Sequence, residues 1–165
     1  MGIKPHLNQV SLDKMEVNIE TMNIKVFYHS STGNTEKLAR AIADTLNIQA
    51  KQLGEDPISF SEPVDLLFIG DGIYFGKANK RTRSFIDRLD AKMIKNVAIF
   101  ATYGGESKIG TDIKEMIQNK GIRVVDDPFT CKGQSWVFIN RKHPNETDLS
   151  KVRKYAKNAA AKVDR

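Results

Sequence analysis

Apolar and polar positions change their spacing along this chain in a regular way. Short apolar runs at 24–29, 48–53, 64–70, 97–102 and 122–125 alternate with stretches in which apolar residues recur at helical spacing, at 35–46, 79–89, 111–120 and 148–163. Two of the short runs, Asp65-Leu66-Leu67-Phe68-Ile69 and Val97-Ala98-Ile99-Phe100-Ala101, are nearly continuous in apolar residues, as central strands buried on both faces must be. Strand and helix in alternation predict an α/β fold: a doubly wound, five-stranded parallel sheet with helices on both faces. Right-handed crossovers leave few arrangements. Strand order 2-1-3-4-5 puts the loops after strands one, three and four along one edge, at the switch point where ligands bind in such sheets.

Residues 1–21 fall outside this alternation and are expected to be a disordered extension, with Leu12, Met15, Val17 and Ile19 as the positions an extra docking piece would use. Residues 22–165 are expected to form one domain. A chain of 165 residues that is 40% hydrophobic can bury one full core and is too short for two ordinary domains. It has no run of about 18 apolar residues, so no membrane span is expected, and without a secretory signal pattern the expected location is cytoplasmic. The single cysteine, Cys131, excludes an internal disulfide and a cysteine-built metal site within one chain.

Chemistry gathers at three predicted loops. After the first strand the chain reads Ser30-Ser31-Thr32-Gly33-Asn34-Thr35 and enters a helix. Gly33 lets the backbone turn, the first N–H groups of the helix point outward with the helix dipole behind them, and the hydroxyls of Ser30, Thr32 and Thr35 add donors. That is an anion cradle; read more blandly, the same residues cap a helix. After the third strand comes Ile69-Gly70-Asp71-Gly72-Ile73-Tyr74-Phe75-Gly76, and after the fourth Ala101-Thr102-Tyr103-Gly104-Gly105-Glu106-Ser107. In both, aromatics beside glycines let backbone approach a planar ligand; the bland alternative is a tight turn with packed rings.

The first loop, as (S/T)-x-T-G-x-T, resembles the FMN phosphate loop of the flavodoxin family. The second resembles the loop written G-x-P-x-(Y/R)-(W/F)-G in flavodoxins and related FMN-dependent quinone reductases. The resemblance implies FMN as cofactor, phosphate contacts from residues 30–35, ring contacts from Tyr74 and Phe75 beside Gly72 and Ile73, and a backbone at Gly76 that reorients near the flavin N5. It implies stacking by Tyr103 and donors to the pyrimidine edge from Gly104 and Gly105, next to Thr102. Gly72 stands where the pattern has proline, so a looser loop is expected there. The segments 129–134 and 143–149 also resemble the family, which extends the likeness over about residues 22–163. Cys131 reads as a buried small residue and not a nucleophile. His29 borders the first loop in a structural role, and His143 marks a surface turn whose asparagine or threonine caps the last helix.

Other phosphate-binding folds fail on their own requirements. A receiver domain needs an acidic pair after strand one, where this chain has Tyr28-His29-Ser30; a low-molecular-weight tyrosine phosphatase needs a cysteine in the first loop; a dinucleotide site needs G-x-G-x-x-G there. The net charge is +6, with pI near 9.4, and basic residues cluster in two places: Lys77, Lys80, Arg81, Arg83 and Arg88, and a tail with Lys151, Arg153, Lys154, Lys157, Lys162 and Arg165. Nucleic acid is disfavoured as the partner, because Asp87, Asp90, Glu146 and Asp148 interrupt these clusters and no aromatic stacking platform is interleaved. The expected function is FMN-dependent electron transfer to redox partner proteins with acidic docking surfaces. An FMN-dependent NAD(P)H or quinone oxidoreductase is the alternative reading, and a flavin-binding regulatory module without turnover a third. No side chain stands out as a general acid or base.

Overall fold

The computed structural model describes residues 19–73, 76–105, 109–133 and 142–163. Its elements are β1 (Ile24–Tyr28), α1 (Asn34–Leu46), β2 (Ala50–Gln52), β3 (Leu66–Ile73), α2 (Lys80–Asp87), β4 (Asn96–Tyr103), α3 (Ile109–Asn119), β5 (Arg123–Val124), β6 (Phe129–Lys132) and α4 (Glu146–Ala161). All strand pairs are parallel, in the order β2-β1-β3-β4-β5, with β6 also paired to β4. This is the doubly wound sheet that the alternation predicts.

Alternate side chains of each strand enter opposite halves of the core. Val26, Tyr28, Leu66, Phe68, Ala98 and Phe100 meet Leu38 and Ile42 of α1 and Val152, Ala156 and Ala159 of α4. Phe27, Leu67, Ile69, Val97 and Ile99 meet Phe85 and Ile86 of α2 and Ile113 and Ile117 of α3. Each large side chain buried in these clusters contributes about 1.5–3 kcal/mol relative to exposure, which ties the central strands to the helices on both faces. Gly70 on β3 leaves room for its neighbour on β4: a Cβ there would lie 2.1 Å from the Phe100 ring. Ile19 and Met22 pack at the edge of the first cluster, Ile19 from a short helical turn at 19–21. The remainder of the expected extension, residues 1–18, lies outside the described residues.

Two strand expectations need correction. The third strand does not stop at Gly70 but runs on to Ile73, pairing Asp71, Gly72 and Ile73 with Ala101, Thr102 and Tyr103. The fifth strand is split: Arg123–Val124 pairs with the start of β4, Asp126-Asp127-Pro128 leaves the ladder, and Phe129–Lys132 rejoins it along Phe100–Tyr103. Proline lacks the N–H a ladder needs, which fits a break ending at Pro128. The break leaves the outer backbone of Ile99 without a strand beside it, and Tyr155 of α4 takes that place. Its hydroxyl donates to the Ile99 carbonyl oxygen at 3.0 Å and accepts from the Ile99 N–H at 3.2 Å.

Candidate functional site

The three loops singled out in the sequence lie together at the carboxyl edge of the sheet, since β1, β3 and β4 are adjacent and parallel. At the end of β1, the His29 N–H donates to the Gly70 carbonyl at 2.9 Å, and the Gly33 N–H donates to the Ser30 hydroxyl at 3.0 Å. The Asn34 amide donates to the Thr32 hydroxyl at 3.0 Å, and Gln52 of β2 donates to the Ser30 carbonyl at 3.2 Å from outside. Gly33 caps α1 at φ 89°, a conformation costly for any residue with a side chain. No described side chain caps this end of α1, and a Cβ at Gly33 would meet nothing within 4 Å. An uncapped helix end facing open space, with Ser31 and Thr32 exposed beside it, can hold a phosphate-sized anion.

Thr35 has a second task that the sequence did not show. Its hydroxyl lies 3.0 Å from that of Thr102, with both residues buried. The pair crosses directly above Gly72, where a Cβ would stand 2.9 Å from the Thr35 oxygen and 3.2 Å from the Thr102 oxygen. Gly72 is therefore a closely packed sheet residue and not the loose loop position expected. Gly133 completes the arrangement: its N–H donates to the Tyr103 carbonyl at 2.9 Å, and a Cβ on it would press on Asn34 and Thr102. Of the two hydroxyls only one donates to the other, so the pair still carries one hydrogen for a further acceptor.

The second and third loops are described in part. Gly76 has φ 75° and open space around it, whereas Tyr74 and Phe75 lie outside the described residues. Beyond Gly76, the Asn79 side chain caps α2 by accepting from the Arg81 N–H at 2.9 Å, and the Asn79 N–H donates to the Asp71 carboxylate at 2.7 Å. After β4, Tyr103 is half-buried and Gly105 is exposed with nothing near its Cβ position, while residues 106–108 lie outside the described residues.

The sequence reading gave His29 a structural role beside the first loop and did not pair it with Asp71. Asp71 is fully buried at the end of β3, and its Oδ1 lies 3.4 Å from His29 Nδ1. The available signal was an acidic residue inside an apolar strand run. Cys131 is buried as expected, and burial, with Asp148 adding to it, pushes its thiol up to about 12, so it is not a nucleophile. His143 bonds Asp148 at 2.7 Å, and Asn145 caps α4 in a reciprocal pair with Asp148. Around the carboxyl edge Lys77, Lys80 and Arg83 are exposed and Arg81 pairs with Glu55 at 3.2 Å, whereas Arg88 is exposed at the far end of α2. A cleft of about 300 Å³ between α2 and residues 53–58 is lined by none of the predicted site residues.

Residues 25–137 match the family described as the flavodoxin domain. An uncharacterised protein of Methanocaldococcus jannaschii is 34% identical over 134 residues, covering 75% of this chain and 88% of that protein. A flavodoxin of Clostridium beijerinckii is 28% identical over 120 residues, covering 67% of this chain and 87% of that one. Among solved structures, a flavodoxin from the domain Archaea superposes with TM-score 0.69 at 20% identity, over 87% of this chain and all of that one. No described helix is long and apolar enough to cross a membrane. The chain thus belongs to the flavodoxin family, and its cofactor is FMN.

Proposed function

We propose that this protein is an electron carrier that holds FMN noncovalently across the three loops of its carboxyl edge and docks on redox partners with acidic surfaces. When bound, FMN supplies the redox chemistry; the protein supplies binding, orientation and field. The residues fit such a group. The uncapped start of α1, with Ser30, Ser31, Thr32, Gly33, Asn34 and Thr35, suits the phosphate, since the helix end has no side-chain cap, Gly33 faces open space, and Ser31 and Thr32 are exposed beside it. Gly72, Ile73, Tyr74, Phe75 and Gly76 on one side, and Thr102, Tyr103, Gly104 and Gly105 on the other, are the ring contacts of this reading.

The observation that carries the carrier role is the charge at this edge. Lys77, Lys80 and Arg83 are exposed on and just before the first turn of α2, next to the ring loop. A rim of one sign steers diffusional encounter with a macromolecule of the opposite sign. The test mixes FMN-loaded protein with NADH, NADPH and a panel of quinones. A carrier shows no sustained turnover with any pair of them, and multiple turnovers with NAD(P)H and a quinone would replace this reading by the oxidoreductase one.

A further inference from the structure

Three buried polar atoms beneath the ring loop have no hydrogen-bond partner among the described residues: His29 Nδ1, Asp71 Oδ1 and Thr82 Oγ1. His29 is 7% exposed, Asp71 and Thr82 not at all. Leaving buried polar groups unpaired costs about 1–3 kcal/mol each, so a cluster of three at the site edge calls for an explanation. They share one place. His29 follows β1 and leads into the phosphate cradle, Asp71 lies in β3 and leads into the ring loop, and Thr82 belongs to α2, which closes that loop.

His29 Nδ1 and Asp71 Oδ1, 3.4 Å apart and bonded to nothing else described, are placed to hold one proton between them. We propose that His29 and Asp71 form a single proton-binding site, and that its proton and FMN favour one another. With the proton aboard, on either residue, the pair is neutral overall; when the proton leaves to solvent, a carboxylate stays buried without a compensating cation. Burial already pushes the Asp71 carboxyl upward, against the opposing pull of the Asn79 amide and His29. The surroundings offer no other described counter-charge: β4 places Ala101 beside Asp71, α2 contributes Thr82 and Asn79, and Lys80, Arg81, Arg83 and Asp87 of α2 are exposed.

An uncompensated negative charge there repels the phosphate of FMN, while the Asn79 N–H, which donates to the same carboxyl, holds on to the charged form more tightly. His29 and Asp71 are thus positioning residues, acting on the cofactor through charge. Linkage makes the effect reciprocal: FMN binding must shift the pair's titration midpoint upward by the same free energy that proton binding adds to FMN affinity.

The inference rests on FMN occupying this edge, and the test separates the two. The His29 ring is followed by NMR between pH 6.5 and 9, in the apo and FMN-loaded protein, while FMN and riboflavin affinities are titrated over the same range. The range lies above the second ionisation of a phosphate monoester, near pH 6. The expected result is a higher midpoint with FMN bound and FMN binding roughly tenfold weaker above the midpoint, as Coulomb's law gives for a unit charge facing a phosphate dianion on the order of 10 Å away at an effective dielectric of about 50. Riboflavin, lacking the dianion, should show a smaller change. Asp71→Asn keeps an acceptor for the Asn79 N–H and should flatten the pH profile, and His29→Gln should do the same. An unchanged midpoint between apo and loaded protein overturns the proposal alone and needs no variant. Absence of FMN binding at any pH overturns both the proposal and the placement of the cofactor.

Discussion

Single residues at the carboxyl edge carry more than one duty, and the threonine pair is the clearest case. Thr35 belongs to the hydroxyl-rich cradle, yet its oxygen also ties α1 to β4 through Thr102, above a glycine that cannot carry a side chain. Gly72→Ala would force a methyl group against both oxygens, and overpacking of this kind costs about 1–3 kcal/mol. Urea denaturation of that variant should show a loss in this range, with FMN binding weakened because the cradle shifts with Thr35. The cradle itself is tested by replacing Thr32 and Thr35 with alanine, which removes two hydroxyls, one of them the tie to Thr102, and keeps the N–H groups at the start of α1. Hydrogen bonds to a charged group are worth about 1.5–3 kcal/mol, so FMN should bind at least tenfold more weakly while riboflavin changes little. Equal losses for both ligands in a fluorescence titration would put the phosphate elsewhere.

Among the elements, the split fifth strand and α4 depend on each other. Parallel strands bond through evenly spaced ladders, and the departure at 126–128 opens a gap in the ladder beside Ile99. One tyrosine hydroxyl fills it as both donor and acceptor. Its burial pushes the phenol far above its ordinary range, so it remains a neutral donor throughout the working pH range. Tyr155→Phe would keep the ring and strand two buried backbone groups, at a cost of about 2–4 kcal/mol. Hydrogen exchange should show the Ile99 amide opening faster in that variant, and chemical denaturation should show the lost stability. The start of α4 has a pH dependence of its own. Burial raises the Asp148 carboxyl, but the Asn145 amide and His143 outweigh it and hold the carboxyl below its usual value. A depressed carboxyl stabilises the fold above the unfolded-state range and loses that contribution as pH falls through its own value, so this cap weakens only in acid.

For the whole molecule, the +6 charge is distributed unevenly, and part of it rims the carboxyl edge of the sheet, the edge proposed to hold the cofactor. Cations near a flavin favour its reduced, more negative state, and screening limits the effect to about 10 Å at 0.1 M salt. Replacing Lys77, Lys80 and Arg83 by glutamine, with the Arg81–Glu55 pair left intact, should lower the reduction potential of bound FMN, and the difference should shrink as salt rises. Spectroelectrochemistry at low and high salt checks this. The same three cations should make reoxidation by anionic ferricyanide fast and salt-sensitive relative to cationic hexaamminecobalt(III). A rate ratio that does not move between parent and variant would place these side chains away from the path of electron exchange.

The order of strands and helices could be read from the chain itself, because the spacing of apolar residues is set by the geometry of each element and a parallel sheet covered on both faces needs continuous apolar runs. The turn into α1 was legible for a similar reason: Gly33 and the hydroxyls around it act locally, within a few residues of the helix they begin. What the chain could not show depends on contacts between distant segments. The sequence marked Gly72 as a loop residue, and only the neighbouring β4 extends β3 through it. Nothing near position 35 announces Thr102, nothing near Tyr155 announces the gap beside Ile99, and nothing near His29 announces Asp71. Each of these pairs meets because parallel strands bring the ends of β1, β3 and β4 to one edge, or because α4 packs back across the sheet. Local spacing fixes which elements form; only their packing decides which polar groups are left facing one another in the interior.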